Sequence, residues 1–253
     1  MKGYLYEGLG NSFIICENIP NKNSEKIASL CNENNTDGMI YYTKENNVME
    51  IYNKDGSKAL MCGNGIRCLT NYIYDFIYES NIYNISTSVG VKNSKVISLI
   101  PFTTKINLGR PRLIKELNEV KSIKIDDKTF YFNAIFLTTY HIVIMVDKIS
   151  DKLINQYAEK IYNHPLFKNK CNVTFCELID YHHIKTLTYE RGVGFTKSCA
   201  TGAAASSYIS YLLYNMSNKI DVIQAQGTLK ITIDNDIYLQ GESSFIKEID
   251  IDE

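Results

Sequence analysis

The chain has 253 residues, 45% of them hydrophobic and 22% charged, and its 27 basic against 28 acidic side chains leave a formal charge of −1. That balance is the composition of a globular protein and excludes a chain built on basic patches for nucleic acid or an anionic lipid surface, while the length admits one large or two ordinary domains. The opening MKGYLYEGLGNSF has no apolar signal core, and the most apolar run, residues 134–146, is too short and polar to span a bilayer, so no membrane partner and a cytoplasmic location are expected.

In chain order, the glycine-rich turn Gly8-Leu9-Gly10-Asn11 leads into an apolar segment, Phe13 to Cys16, that reads as a buried strand with Asn11 at its mouth. Residues 22–35 read as a short polar helix. Met39 to Tyr42 and Val48 to Tyr52 read as a hairpin, with Asn53 at the strand end before the Lys54-Asp55-Gly56 turn. Ile66, Leu69, Ile73, Phe76 and Ile77 then recur at helical spacing, which predicts a helix beginning within a residue or two of Cys62, with Cys68 inside it as a core residue.

Strand-like alternation runs from Ile82 to Ile100, and a charged stretch from Lys115 to Lys128 is the best boundary. The expected division is residues 1–114 and 115–243, with the tail 244–253 returning to the first half. Phe130 to Val146 reads as two apolar strands joined through Thr138-Thr139-Tyr140-His141, residues 151–163 as a helix, and Cys171-Asn172-Val173-Thr174-Phe175 as the start of another strand. The adjacent His182 and His183 are assigned to a surface turn. Cys199 precedes Ala200-Thr201-Gly202, and Ile209, Leu212, Leu213 and Met216 continue at helical spacing.

Superposing Cys62 on Cys199, 137 residues apart, brings further residues into register. Asn53 and Glu190 each lie nine residues before their cysteine, both after a tyrosine; Gly65 and Gly202 lie three after, Gly90 and Gly227 lie 28 after. This is the mark of an internal duplication with one cysteine in each half, each expected at a helix N-terminus. The seven cysteines otherwise match no disulfide framework and no zinc spacing, and no metal is expected.

A helix N-terminus offers backbone N–H groups that lack an intrahelical acceptor, together with partial positive charge, and these favour a thiolate and bind a carboxylate. Two such ends facing one carboxylate would set a sulfur on each face of the adjoining carbon. One thiolate then removes the proton, the other thiol returns one, and no cofactor is needed. Three other readings compete: two packing cysteines, a phosphate loop at CGNGIRC that lacks the Gly-Lys-Ser/Thr ending, and a Cys-His hydrolase using His141, which leaves the duplication unexplained.

The segments GLGNSF, YNKDGSKALMCGNGIRC, CNVTF and YERGVGFTKSCATGAAA resemble the signatures of the diaminopimelate epimerase family of cofactor-independent, two-cysteine racemases, over essentially the whole length. The resemblance implies an α/β (α+β) fold of two similar domains, each a curled mixed sheet around a central helix, with the active site in the cleft between them. It implies Cys62 and Cys199 as the acid/base pair and Gly63, Asn64, Ala200 and Thr201 as the cradle of the α-carboxylate. It further implies Glu190 near the ammonium group, Arg191 with Asn11, Asn53 and Asn172 at the far end of the substrate, and His141 as a neighbour. A small amino-acid substrate, LL-/meso-diaminopimelate or another amino acid such as histidine, and a homodimer follow from the same likeness. A non-catalytic binder on this fold would keep the cradle without needing both sulfurs. The chain departs from the family's usual Gly-Asn-Pro-His at Thr138-Thr139-Tyr140-His141, and from its usual glutamate at Phe195.

Overall fold

The structure, a computed structural model, describes residues 1–17, 22–167, 171–191 and 193–251. The chain divides into two compact units, Met1–Asn107 with Gln240–Glu253, and Leu108–Leu239. These boundaries correct the expected ones after residues 114 and 243. Arg112 and Leu113 pair with Phe136 and Ile135, which ties them to the second unit. At the other end, the carbonyls of Glu242 and Ser243 accept from Arg67 and Asn71, so the return precedes residue 244.

The first unit opens with the antiparallel strands Lys2–Gly8 and Asn11–Glu17, joined through Leu9 and Gly10, both at positive φ. That is the two-residue turn whose twist suits a hairpin. Helix α1 (Ser24–Glu33) is capped by the Asn23 side chain, which accepts from the Glu25 N–H, and buries Ile27, Leu30 and Cys31 on one face. Strand Gly38–Thr43 lies parallel to Asn11–Glu17, and Val48–Asn53 antiparallel to it.

Helix α2 (Gly63–Phe76) is buried at every residue from Gly63 to Ile73. A polar side chain in a helix enclosed on all sides is costly unless it is hydrogen-bonded internally. Thr70 donates to the Ile66 carbonyl at 2.8 Å, and Asn71 donates to the Ser243 carbonyl at 3.0 Å. The hairpin Ile82–Thr87 and Gly90–Leu99 follows, and the tail strand Ser244–Asp250 pairs antiparallel with Lys2–Gly8; residues 252 and 253 of the expected tail lie outside the described residues.

The second unit begins with helix α3 (Lys115–Asn118) and a small two-stranded sheet, Ser122–Ile125 with Lys128–Tyr131. It then repeats the order of the first unit. A hairpin, Asn133–Leu137 and Thr139–Met145, precedes helix α4 (Asp151–Tyr162), capped by Ser150. Strand Asn172–Leu178 runs parallel to Thr139–Met145, and His183–Glu190 antiparallel to Asn172–Leu178. Helix α5 (Ala200–Tyr214), buried from Ala200 through Ser207, is followed by the hairpin Lys219–Gln224 and Gly227–Ile233.

The register of the repeat has physical causes. Gly90 (φ 97°) and Gly227 (φ 139°) each close a hairpin in a conformation that disfavours a side chain. Gly65 and Gly202 sit where a buried helix meets the strands against it. A Cβ at Gly202 would stand 2.5 Å from Thr188 Oγ1 and 3.2 Å from Cys199 Sγ, whereas one at Gly65 would meet the ends of Ile51 and Met49 at 3.0 Å. Gly202→Ala should therefore cost about 1–3 kcal/mol of stability in urea unfolding, and Gly65→Ala much less, because its neighbours are flexible methyl ends. Equal costs would show that the close approach at Thr188 does not constrain α5.

Candidate active site

The first group of candidate residues surrounds the start of α2. Cys62 is the N-cap, with extended backbone (φ −137°, ψ 122°), and its carbonyl accepts from the Ile66 N–H at 3.0 Å. Its side chain is half-buried, while Gly63 and Asn64, the first helical residues, are buried. Asn53 ends its strand opposite Gly38, and its amide donates to Ser57 Oγ at 2.9 Å within its own turn. Asn11 begins the second strand opposite Gly8. Gly8 packs closely on α2: a Cβ there would be crowded, at 3.1 Å from Arg67 Nη2, 3.2 Å from Cys68 Sγ and 3.4 Å from the Asn64 carbonyl.

The second group surrounds the start of α5. Cys199 is its N-cap (φ −127°, ψ 106°); its Sγ accepts from the Gly202 N–H at 3.3 Å and lies 3.6 Å from Thr201 Oγ1. Gln224 donates to the Cys199 carbonyl at 3.2 Å and to Thr186 Oγ1 at 3.0 Å, and accepts from Ser198 Oγ at 2.9 Å. These bonds fix the turn before the helix. Thr201 Oγ1 lies 3.0 Å from His141 Nε2, and His141 Nδ1 lies 3.5 Å from Thr174 Oγ1, which is 3.1 Å from Thr188 Oγ1. Burial pushes the His141 pKa down to about 3, so the ring is neutral and acts through hydrogen bonds rather than charge.

Glu190 ends its strand as Asn53 does in the first unit. Thr196 Oγ1 donates to its carboxylate at 2.6 Å. Burial pushes the Glu190 carboxyl up, against the hydrogen bonds from Thr196 and the Cys199 thiol that pull it down. Cys199 is held well above the ordinary thiol range, first by burial and then by the Glu190 charge, which outweigh its bonds to Thr201 and Gly202. At Cys199, contrary to the lowering expected of a helix N-terminus, burial beside a carboxylate wins over the helix end.

Asn172 is buried opposite His141, and its Oδ1 accepts from the Arg191 N–H at 2.9 Å. The Arg191 side chain is exposed and makes no ion pair among the described residues. His141, Asn172, Glu190, Arg191, Cys199, Ala200 and Thr201 are thus gathered in the second unit, and Asn11, Asn53, Cys62, Gly63 and Asn64 belong to the first. His141 differs from its expected place in a connection: the second strand of its hairpin starts at Thr139, so His141 lies within a strand, and Thr138 alone makes the turn with φ 61°. Sequence reasoning did not find Thr196, Gln224 or Arg67. Only the alternation of Thr186 and Thr188 with apolar neighbours signals a polar layer facing α5.

The sequence profile described as diaminopimelate epimerase matches residues 3–113 and 134–246, which is most of the chain. The chain belongs to the diaminopimelate epimerase family. It is 32% identical to the diaminopimelate epimerase of Caldanaerobacter subterraneus subsp. tengcongensis, over 93% of each chain, and 31% identical to that of Clostridium perfringens, over 97% of each. Among solved structures, a probable proline racemase from Agrobacterium radiobacter K84 has a TM-score of 0.75 at 11% identity, covering 99% of this chain and 92% of its own. A hydroxyproline epimerase from Agrobacterium vitis scores 0.72 at 10% identity, covering 98% and 90%. These two share the fold. As a member of the family the protein is an isomerase, a cofactor-independent amino-acid epimerase of mixed α/β fold. No helix among the described residues is long and apolar enough to cross a membrane.

Removing the negative neighbour should release Cys199. Glu190→Gln is expected to lower the pH at which Cys199 becomes alkylated by iodoacetamide, followed by peptide mass spectrometry. An unchanged or higher pH would show that the carboxylate does not hold the thiol protonated.

Proposed function

We propose that the protein interconverts LL- and meso-diaminopimelate, with Cys62 and Cys199 as the acid/base pair. The observation that carries this reading is that each cysteine is the N-cap of the buried helix in its own copy of the repeat. A helix start binds a carboxylate through its first N–H groups. Gly63-Asn64 and Ala200-Thr201 are the donors for the α-carboxylate, and they stabilise the charge that builds up when the α-proton leaves.

The reaction needs one thiolate to take that proton and one thiol to give another to the opposite face of the same carbon. Each sulfur ends the turnover in the other's initial protonation state, and no electrons are exchanged. Glu190, beside Cys199, faces the substrate ammonium group in this reading. His141 keeps Thr201 oriented towards Cys199 Sγ. Arg191, with a guanidinium suited to bidentate contact, binds the distal carboxylate together with Asn11, Asn53 and Asn172. The protein works without a cofactor, as a cytoplasmic homodimer, in the supply of lysine and peptidoglycan precursors.

A second reading, racemisation of another amino acid such as histidine, is favoured by one feature. Tyr140 stands where the family usually has proline, and its ring packs edge-on against Phe136 with centroids 4.9 Å apart. A bulky aromatic pair beside His141 changes which distal group fits.

Cys62→Ser and Cys199→Ser test the assignment. Each should lower turnover of LL-diaminopimelate by at least about 100-fold while substrate binding, measured by calorimetry, stays within a few-fold. A serine variant retaining turnover within tenfold of the unmodified enzyme would remove that cysteine from the chemistry. Unmodified protein that binds an amino acid without turnover would make the protein a binder.

A further inference from the structure

Arg67 lies in the second turn of α2 and is fully buried. Its Nη1 donates to Asn64 Oδ1 at 2.9 Å and its Nε to the Glu242 carbonyl at 3.2 Å. Its Nη2 has no hydrogen-bond partner among the described residues, and Arg67 forms no ion pair there. A buried guanidinium stays charged, and a buried charge without a counter-charge is costly. The function described so far gives this residue no task.

The groups around it leave few candidates for the missing anion. Cys68, next in the helix, has its thiol pushed up by burial. Glu7, on the strand Lys2–Gly8, is exposed and accepts from the Gly10 N–H. Asp75, two turns further along α2, accepts from the Tyr6 hydroxyl at 2.6 Å. From the returning tail, Glu242 presents its carbonyl rather than its carboxylate. Cys62 remains, at the open end of the same helix and half-exposed.

We propose that Arg67 is a positioning residue for Cys62: its buried charge is the counter-charge of the Cys62 thiolate, and its bond to Asn64 fixes the turn that cradles the substrate carboxylate. Burial pulls the Arg67 pKa down, and negative charge on Cys68 or Cys62 would hold it up; burial keeps the Cys68 thiol protonated, which leaves Cys62 as the thiolate to pair with Arg67. The bond to Asn64 has a fixed sense. A guanidinium only donates, so the amide oxygen must face Arg67 and the amide nitrogen, the donor end, must face away. With Cys199 held protonated beside Glu190, the resting enzyme carries its base on Cys62 and its acid on Cys199. This deepens, and rests on, the assignment of Cys62 to the acid/base pair.

The test is the pH dependence of Cys62 alkylation by iodoacetamide, read at its own peptide by mass spectrometry, in the unmodified protein and in Arg67→Met and Arg67→Lys. The unmodified midpoint is expected below the ordinary thiol value of about 8.5. Arg67→Met should raise it by at least one unit and leave Cys199 unmoved; Arg67→Lys, which keeps the charge, should restore the low midpoint. A midpoint in the unmodified protein at or above about 8.5 overturns the proposal, and that measurement stands even where Arg67→Met does not fold. So does a folded Arg67→Met with an unchanged midpoint. Because alkylation needs no substrate, a low, Arg67-dependent midpoint in a protein that turns over no amino acid would sink the epimerase assignment alone.

Discussion

A helix enclosed by a sheet through its first three turns is the constraint on which each unit depends. Such a helix cannot carry bulky residues where it meets the strands, so Gly65 and Gly202 fall at the same offset from their cysteines. A polar side chain in it is costly without a partner, and Thr70, Asn71 and Arg67 in α2 are bonded to the helix backbone, the returning tail or Asn64, with Arg67 Nη2 left over. At the start of each helix the first-turn N–H groups have no intrahelical acceptor, and the proposed mechanism uses them to hold the substrate carboxylate beside each cysteine.

The two helix starts share a backbone but differ in electrostatics. Cys199 is buried beside Glu190, and both burial and that charge keep its proton on. Cys62 is more exposed and shares its helix with a buried arginine. A two-thiol proton transfer needs one base and one acid at rest. In the proposed mechanism a duplicated backbone with unequal neighbours meets that need.

How much of this the sequence discloses depends on whether the cause is local. The two cysteines, the glycines and the strand-end residues Asn53 and Glu190 are legible because turn closure and helix–sheet contact fix their spacing within each half. The start of α5 is visible in its run of small residues. His141 is legible as a candidate but not in its position, because a one-residue turn at Thr138 has no sequence signature: a β-branched residue rarely adopts φ 61°. The unit boundaries depend on pairing between distant segments, Arg112 with Phe136 and the tail strand with Lys2–Gly8, which no local pattern encodes. Gln224 is 25 residues from Cys199, and Arg67 reads as one more helix residue until its burial is known.

The central claim, that two monoprotic thiols act on opposite faces of one carbon, is tested most directly by early turnover in D₂O. Reduced enzyme is given LL-diaminopimelate, and the α-proton is followed by NMR in product and in recovered substrate. The account predicts deuterium at the inverted carbon of the meso product while the remaining LL substrate keeps its proton, because the thiol that donates is not the thiolate that accepts. Deuterium entering recovered substrate as fast as product, or product retaining the original proton, would contradict it and point to a single base.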